Sequence, residues 1–151
     1  MTPTSLPAWL YTDPRFFDLE REHVFKQAWH LMGHINDAPE TGDYLTLDIL
    51  GERVVTVRGE DGALRSFHNV CRHRAGKIAT EARGSCGHRL VCPYHAWSYR
   101  LDGSFAGAPK WQGFENLEAE VLGLKPVEQE IAFGFIFIRF APGLPSVAEM
   151  M

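Results

Sequence analysis

The chain has no apolar run approaching the roughly 18 residues of a membrane span. Its first ten residues, Met1 to Leu10, offer neither a basic leader nor the apolar core of a signal peptide. The expected setting is therefore cytoplasmic and reducing, with no membrane partner. Cysteine is scarce, three in 151 residues. In such a setting three cysteines point to metal binding or reactivity rather than to a disulfide framework. There is no block of single-sign charge, and the net charge is only −4, which speaks against a nucleic-acid partner. Internal repeats, low-complexity tracts and linkers are also missing, so residues 1–151 read as one domain. What is present is globular material, 45% hydrophobic and 23% charged. That composition lies outside the disordered range, and a chain of this length buries about 70% of its unfolded surface.

Asp13-Pro14 marks a helix start, with Asp13 as N-cap and Pro14 at the first helical position. Phe16, Phe17, Val24, Phe25 and Ala28 follow at helical spacing. They predict one or two short amphipathic helices over 14–28, a helical lead-in covering about 13–29. After Gly42 the period drops to two. Tyr44–Asp48 and Arg53–Val57 read as strands around a turn at Leu50-Gly51. Asp61-Gly62 marks a second hairpin leading into Leu64–Val70, and Asp102-Gly103 a third after Trp97–Leu101. Residues 104–125, with Gly107, Pro109, Gly113 and Gly123, predict a long irregular connection. The aromatic and β-branched run Phe133–Phe140 predicts a buried closing strand. The fold class is mainly β, antiparallel sheets with a short N-terminal helical segment.

Two short segments carry the chemistry: Cys71-Arg72-His73 and Cys92-Pro93-Tyr94-His95, with eighteen residues between His73 and Cys92. Each follows a strand-like stretch, Phe67–Val70 and Arg89–Val91, which places each on a loop at a strand end. Two loops offering one Cys and one His apiece can grip a two-iron cluster from both sides. Both thiolates bind one iron and both imidazoles the other, which is the Rieske ligand arrangement. Such a cluster is neutral when oxidised and carries one negative charge when reduced, whereas four thiolates would make every state two charges more negative. Adding an electron is correspondingly easier, and the potential rises above that of a plant-type centre. The outward ring nitrogens also allow reduction to be coupled to proton uptake. The site suits an electron relay and does not by itself activate a substrate.

With these segments in view, the sequence resembles the N-terminal Rieske domain of the α subunit of Rieske non-haem iron oxygenases, the aromatic-ring-hydroxylating family. The resemblance runs through Tyr11-Thr12-Asp13-Pro14, Trp29-His30, Gly42-Asp43-Tyr44, Phe67 to Arg74 and Cys92 to Tyr99. It implies a Rieske-type domain with cluster-binding loops at about 71–77 and 92–99, and a [2Fe–2S] cluster on Cys71, His73, Cys92 and His95. It also implies a reductase or ferredoxin as electron donor. The acceptor would be a mononuclear iron in an oxygenase catalytic domain, a neighbouring subunit's in the family's trimers. Aromatic rings or quaternary ammonium compounds would be the parent's substrates. The chain ends at Met151, before such a catalytic domain begins, so the expectation is electron transfer without oxygenation.

Ala96 departs from the glycine many relatives carry, and the spacer lies to the long side, suggesting an insertion near Gly84–Gly87. Trp97 stands where respiratory Rieske proteins have a serine that donates to cluster sulfur, while Tyr99 is retained. Losing that donor predicts a potential in the lower part of the Rieske range. Cys86 has no cysteine in the first loop to pair with, unlike the respiratory proteins. Two other readings stay open. One is a free-standing Rieske ferredoxin, although such carriers are shorter and lack the helical lead-in. The other is a structural Cys₂His₂ zinc site, for which the single-residue gap of Cys71-Arg72-His73 is tight.

Outside the loops, Cys86 reads as a bystander thiol. His30 and His34, four apart, could share a helical face and read as structural, His68 as packing or hydrogen bonding, and His88 as surface. Between Arg72 and Arg89 stand five bases (Arg72, Arg74, Lys77, Arg83, Arg89) against one acid, Glu81. That is a net +4 inside a chain of −4, leaving −8 elsewhere. The segment is either a solvated loop surface or a docking face for an acidic ferredoxin or reductase.

Overall fold

The computed structural model describes residues 5–109, 119–141, 143 and 145–151. Asp13 caps helix α1 (Pro14–His23): its carboxylate accepts the Arg15 backbone N–H at 2.8 Å, and Pro14 opens the first turn. A 3₁₀ turn over Phe25–Gln27 completes the lead-in. Its apolar side finds no core, because Phe17, Leu19 and Val24 are exposed and α1 buries no residue. Phe16 meets Trp9 edge to face.

Among the described residues ten strands follow: β1 (His30–His34), β2 (Asp43–Ile49), β3 (Glu52–Arg58), β4 (Leu64–His68), β5 (Arg83–Ser85), β6 (Leu90–Val91), β7 (Ser98–Tyr99), β8 (Phe105–Gly107), β9 (Glu128–Ala132) and β10 (Phe135–Arg139). They form three antiparallel sheets, ordered β1-β10-β9, β4-β3-β2-β5 and β6-β7-β8. A last helical turn, α2 (Val147–Met150), is capped by Ser146. The β2–β3 hairpin turns at Leu50-Gly51 as expected, with φ of 56° and 82°, the left-handed pair a two-residue hairpin demands. The Asp61-Gly62 and Asp102-Gly103 turns also fall where the sequence places them.

Strand β3 is the centre of the molecule. Val54, Val55, Thr56 and Val57 are all buried, because the strand is covered on both faces and its alternation is erased. Val55 and Val57 join a core with Phe67, Ile78, Leu90, Trp97, Tyr99, Leu101 and Phe105, and Cys71 and Cys92 belong to this core. Val54 faces the other way, onto Val127 and Ile138.

Several expectations are corrected. His30 and His34 lie on β1 and not on a helix. His30 Nε2 meets the Phe25 carbonyl at 2.6 Å, and His34 Nδ1 accepts the Asn36 N–H, so both are structural. The run Phe133–Phe140 is not one buried strand. Phe133 and Gly134, with φ of 53° and 81°, turn a hairpin from β9 into β10, and Phe133 is 76% exposed. Arg83–Ser85, where no strand is expected and which overlaps the Gly84–Gly87 stretch, forms the edge strand β5 against β2. The 104–125 connection contains β8, and its segment 110–118 lies outside the described residues.

Candidate metal centre

The two motif loops are one turn built twice. In the first, the Cys71 N–H donates to the Gly76 carbonyl at 2.8 Å and the Ala75 N–H returns to the Cys71 carbonyl at 2.9 Å. In the second, the Cys92 N–H donates to the Trp97 carbonyl at 2.8 Å and the Ala96 N–H to the Cys92 carbonyl at 3.0 Å. The residue four after each cysteine is left-handed: Ala75 has φ 56° and Ala96 φ 54°. The different gaps, Cys-x-His and Cys-x-x-His, conceal this equivalence in the sequence.

Each loop is fixed from outside. Asn69, fully buried, accepts the N–H groups of Ile78 and Ala79, both at 3.0 Å, and donates to the Ala79 carbonyl at 2.7 Å, which closes the base of the first loop. Tyr99, fully buried on β7, accepts the Arg72 N–H at 2.9 Å. Its own proton is then free for Cys71 Sγ, 3.2 Å away. Neither residue had been singled out for such a role. Both were visible only as members of the two resembling segments, Asn69 in Phe67 to Arg74 and Tyr99 in Cys92 to Tyr99.

The four candidate donors come together. Cys71 and Cys92 are both buried, and their thiols interact. The rings of His73 and His95 lie 4.7 Å apart, edge to face. Trp97 lies flat against His73, 4.9 Å between centroids and 5° between planes. His73 Nδ1 is shut off from solvent with no hydrogen-bond partner among the described residues. A buried ring nitrogen left in that state is costly, and a metal ion relieves the cost. Among the described residues no three His, Cys, Asp or Glu side chains converge as they would on one ion. The donors are divided between a thiol pair and an imidazole pair, as a cluster with two irons requires. The residues thus fit a [2Fe–2S] group.

Burial pushes the Cys71 thiol up, opposed in part by the Tyr99 hydroxyl. Burial, then the neighbouring His95 and Arg74, holds the His73 imidazole below its ordinary value. That keeps it neutral, the state in which it can ligate. Burial, followed by the Cys71 contact, raises the Tyr99 phenol above its usual range, so it remains a proton donor. At the surface, His95 and Tyr94 are exposed, Tyr94 by 68%, with their rings 4.2 Å apart.

The remaining candidates fall elsewhere. Cys86, half-buried, donates to the Gly42 carbonyl at 3.2 Å. His68 sits 3.5 Å from Glu52 and against Phe140, and His88 is exposed beside Glu60. The run of bases over 72–89 is broken up. Lys77 pairs with Asp48 at 3.0 Å and Arg83 with Asp37 at 2.8 Å. Arg72, Arg74 and Arg89 remain exposed.

The Rieske [2Fe–2S] domain family matches residues 28–119, which include both loops. The chain is 40% identical over 147 residues to the glycine betaine monooxygenase oxygenase subunit of Chromohalobacter salexigens, covering 97% of this chain and 33% of that protein. It is 37% identical over 147 residues to the carnitine monooxygenase oxygenase subunit of Escherichia coli, covering 97% and 39%. A solved quaternary ammonium Rieske monooxygenase with L-carnitine bound superposes with a TM-score of 0.89 at 33% identity, over 96% of this chain and 41% of that one. Naphthalene 1,2-dioxygenase from Rhodococcus superposes at 0.86 with 30% identity, over 95% and 33%. The chain spans between about a third and two-fifths of the length of these relatives. Among the described residues, no helix is long and apolar enough to cross a membrane.

Proposed function

The chain belongs to the Rieske [2Fe–2S] domain family, and from that premise we propose that it is the electron relay of an oxygenase subunit. In this reading Cys71 and Cys92 hold one iron and His73 and His95 the other. The observation that carries it is the paired placement of the four donors with His73 Nδ1 buried and without a hydrogen-bond partner among the described residues. When bound, the cluster supplies a one-electron couple. The protein's own part is to keep the thiols dry, to direct the Tyr99 proton at Cys71 Sγ, and to hold His73 flat beneath Trp97. Exposure of His95 and Tyr94 leaves the imidazole side open to redox partners. Those partners are a reductase or ferredoxin as donor, and a mononuclear iron in an oxygenase catalytic domain as acceptor. The glycine betaine and carnitine relatives favour a quaternary ammonium compound over an aromatic ring as the substrate of the whole enzyme.

The test is iron, zinc and acid-labile sulfide analysis of the purified chain, with EPR after dithionite reduction. Two irons and two sulfides per chain and a low-average-g signal are expected, and Cys71→Ser and His95→Ala should each lose them. One zinc and no signal would overturn the reading in favour of a structural site.

A further inference from the structure

Beside the first loop lies an open recess of about 280 Å³, lined by His68, Val70, Arg72 and Lys125. Its walls are built. The His68 N–H donates to the Lys125 carbonyl at 2.9 Å, Phe67 bridges Pro126, and the Val127 N–H donates to the Ser66 carbonyl at 2.9 Å. These bonds hold Lys125 alongside the end of β4. Arg72 is fixed by its own N–H on Tyr99. Among the described residues no carboxylate lines the recess, although Glu52 lies 3.5 Å from His68 on its wall. Lys77 and Arg83, by contrast, are tied to acids of their own chain.

We propose that this recess is the docking point for an acidic electron-donating protein, one of whose carboxylates enters between Arg72 and Lys125; the proposal rests on the electron-relay reading above. Charge complementarity selects the occupant. The chain as a whole is negative, so a distant acidic partner gains nothing. At physiological salt, however, charges are felt over only about 8 Å, and inside that range the approaching surface meets Arg72 and Lys125 rather than the net charge. Arg72 lies between Cys71 and His73 in the chain, so a protein anchored there is brought beside the first loop. Exposed Tyr94, on the second loop and close to Gly76 of the first, offers an aromatic contact of the kind that anchors interfaces.

The probe is a plant-type [2Fe–2S] ferredoxin, a low-potential one-electron donor. Reduced with dithionite and freed of excess reductant, it is mixed with the oxidised chain by stopped flow. One electron passes from donor to acceptor and no bond is made or broken. Lys125→Glu, an exposed change outside both loops, should slow the second-order reduction about five- to tenfold at low salt. The loss should shrink as salt is raised. Arg15→Glu makes the same change in net charge on α1 and should alter the rate less than about twofold. Calorimetric titration with the oxidised ferredoxin should show a matching loss of affinity for Lys125→Glu alone. Equal effects of the two variants, or none from Lys125→Glu in either measurement, would overturn the docking point while leaving the relay intact. A chain without iron and sulfide would overturn both.

Discussion

Replacing Tyr99 by Phe removes the hydroxyl that reaches Cys71 Sγ and leaves the ring in place. The Arg72 N–H occupies the phenol oxygen at 2.9 Å, so the phenol's own proton has Cys71 Sγ as its acceptor at 3.2 Å. A neutral hydrogen bond contributes about 0.5–1.5 kcal/mol and one to a charged acceptor about 1.5–3. When the cluster takes on one negative charge, this bond therefore gains on the order of 1–1.4 kcal/mol. For a one-electron couple 1.4 kcal/mol corresponds to about 59 mV, so Tyr99→Phe should lower the reduction potential by about 40–60 mV. The same change strands the Arg72 N–H and should cost roughly 1–2 kcal/mol of stability. The potential is read by redox titration followed by EPR and visible absorption. Phe105→Leu is the control, since it disturbs the ring packed edge-on to Tyr99 without touching the hydroxyl. An unchanged potential at full iron and sulfide content would refute the reasoning. So would an equal fall in Phe105→Leu.

Asn69→Ala should destabilise the fold by about 2–4 kcal/mol, because it leaves the N–H groups of Ile78 and Ala79 unpaired in a buried site. That corresponds to a fall in Tm of roughly 4–16 °C for a domain of this size, read by thermal melting. Ala96→Gly should raise stability, by up to about 1 kcal/mol, since φ 54° strains a residue with a Cβ, and Ala96→Val should lower it; both are read from denaturant midpoints. Asp13, Asp37 and Asp102 are held below the usual carboxylate range, chiefly by hydrogen bonds from Arg15, the His34 N–H and Ser104 respectively. Their native forms bind fewer protons than the unfolded chain near pH 4. The stability they contribute is therefore present above about pH 4 and lost as pH falls through the folded values. Denaturant midpoints at pH 7, 4 and 3 should decline in that order, and a midpoint independent of pH across this interval would contradict the assignment.

The hairpins were legible because their turns are chemically specific: Gly51, Gly62 and Gly103 all have φ near +80°. The sheet β1-β10-β9 was harder to see. Strand β9, Glu128–Ala132, pairs with β10 but carries Glu128, Gln129 and Glu130, a polar run without strand propensity. Its polarity is used locally. Glu128 holds the buried Arg139 at 2.8 Å, Gln129 accepts from Ser66 at 2.6 Å, and Glu130 accepts the Val147 N–H at 2.7 Å. Partners that lie up to 63 residues away leave no periodic trace. The same limit explains Phe133. Aromatic composition argued for burial, but a left-handed φ shared with Gly134 decided for a turn.

At the site, the candidate donors were legible and the residues that hold their loops in place were largely not. A Cys and a His on each of two loops is a local signal, because the donors must sit a residue or two apart to face the same cluster. Holding the loops is a non-local task. Asn69 acts across nine and ten residues on Ile78 and Ala79, and Tyr99 across 27 and 28 on Arg72 and Cys71, through hydrogen bonds that any buried amide or phenol could make. Charge behaves in the same way. Five bases in one stretch read as a patch, yet Asp37 and Asp48 reach in from before β2 and from its far end to take Arg83 and Lys77 out of it. The positive surface beside the first loop then includes Arg72, supplied by the motif, and Lys125, more than fifty positions later, brought in by its bond to the end of β4, while Arg74 and Arg89 also stay exposed. Sequence proximity alone therefore counts Lys77 and Arg83 in the exposed charge. Removing the charges already satisfied by the fold moves it to the edge of the cluster loop, where an approaching donor would feel it.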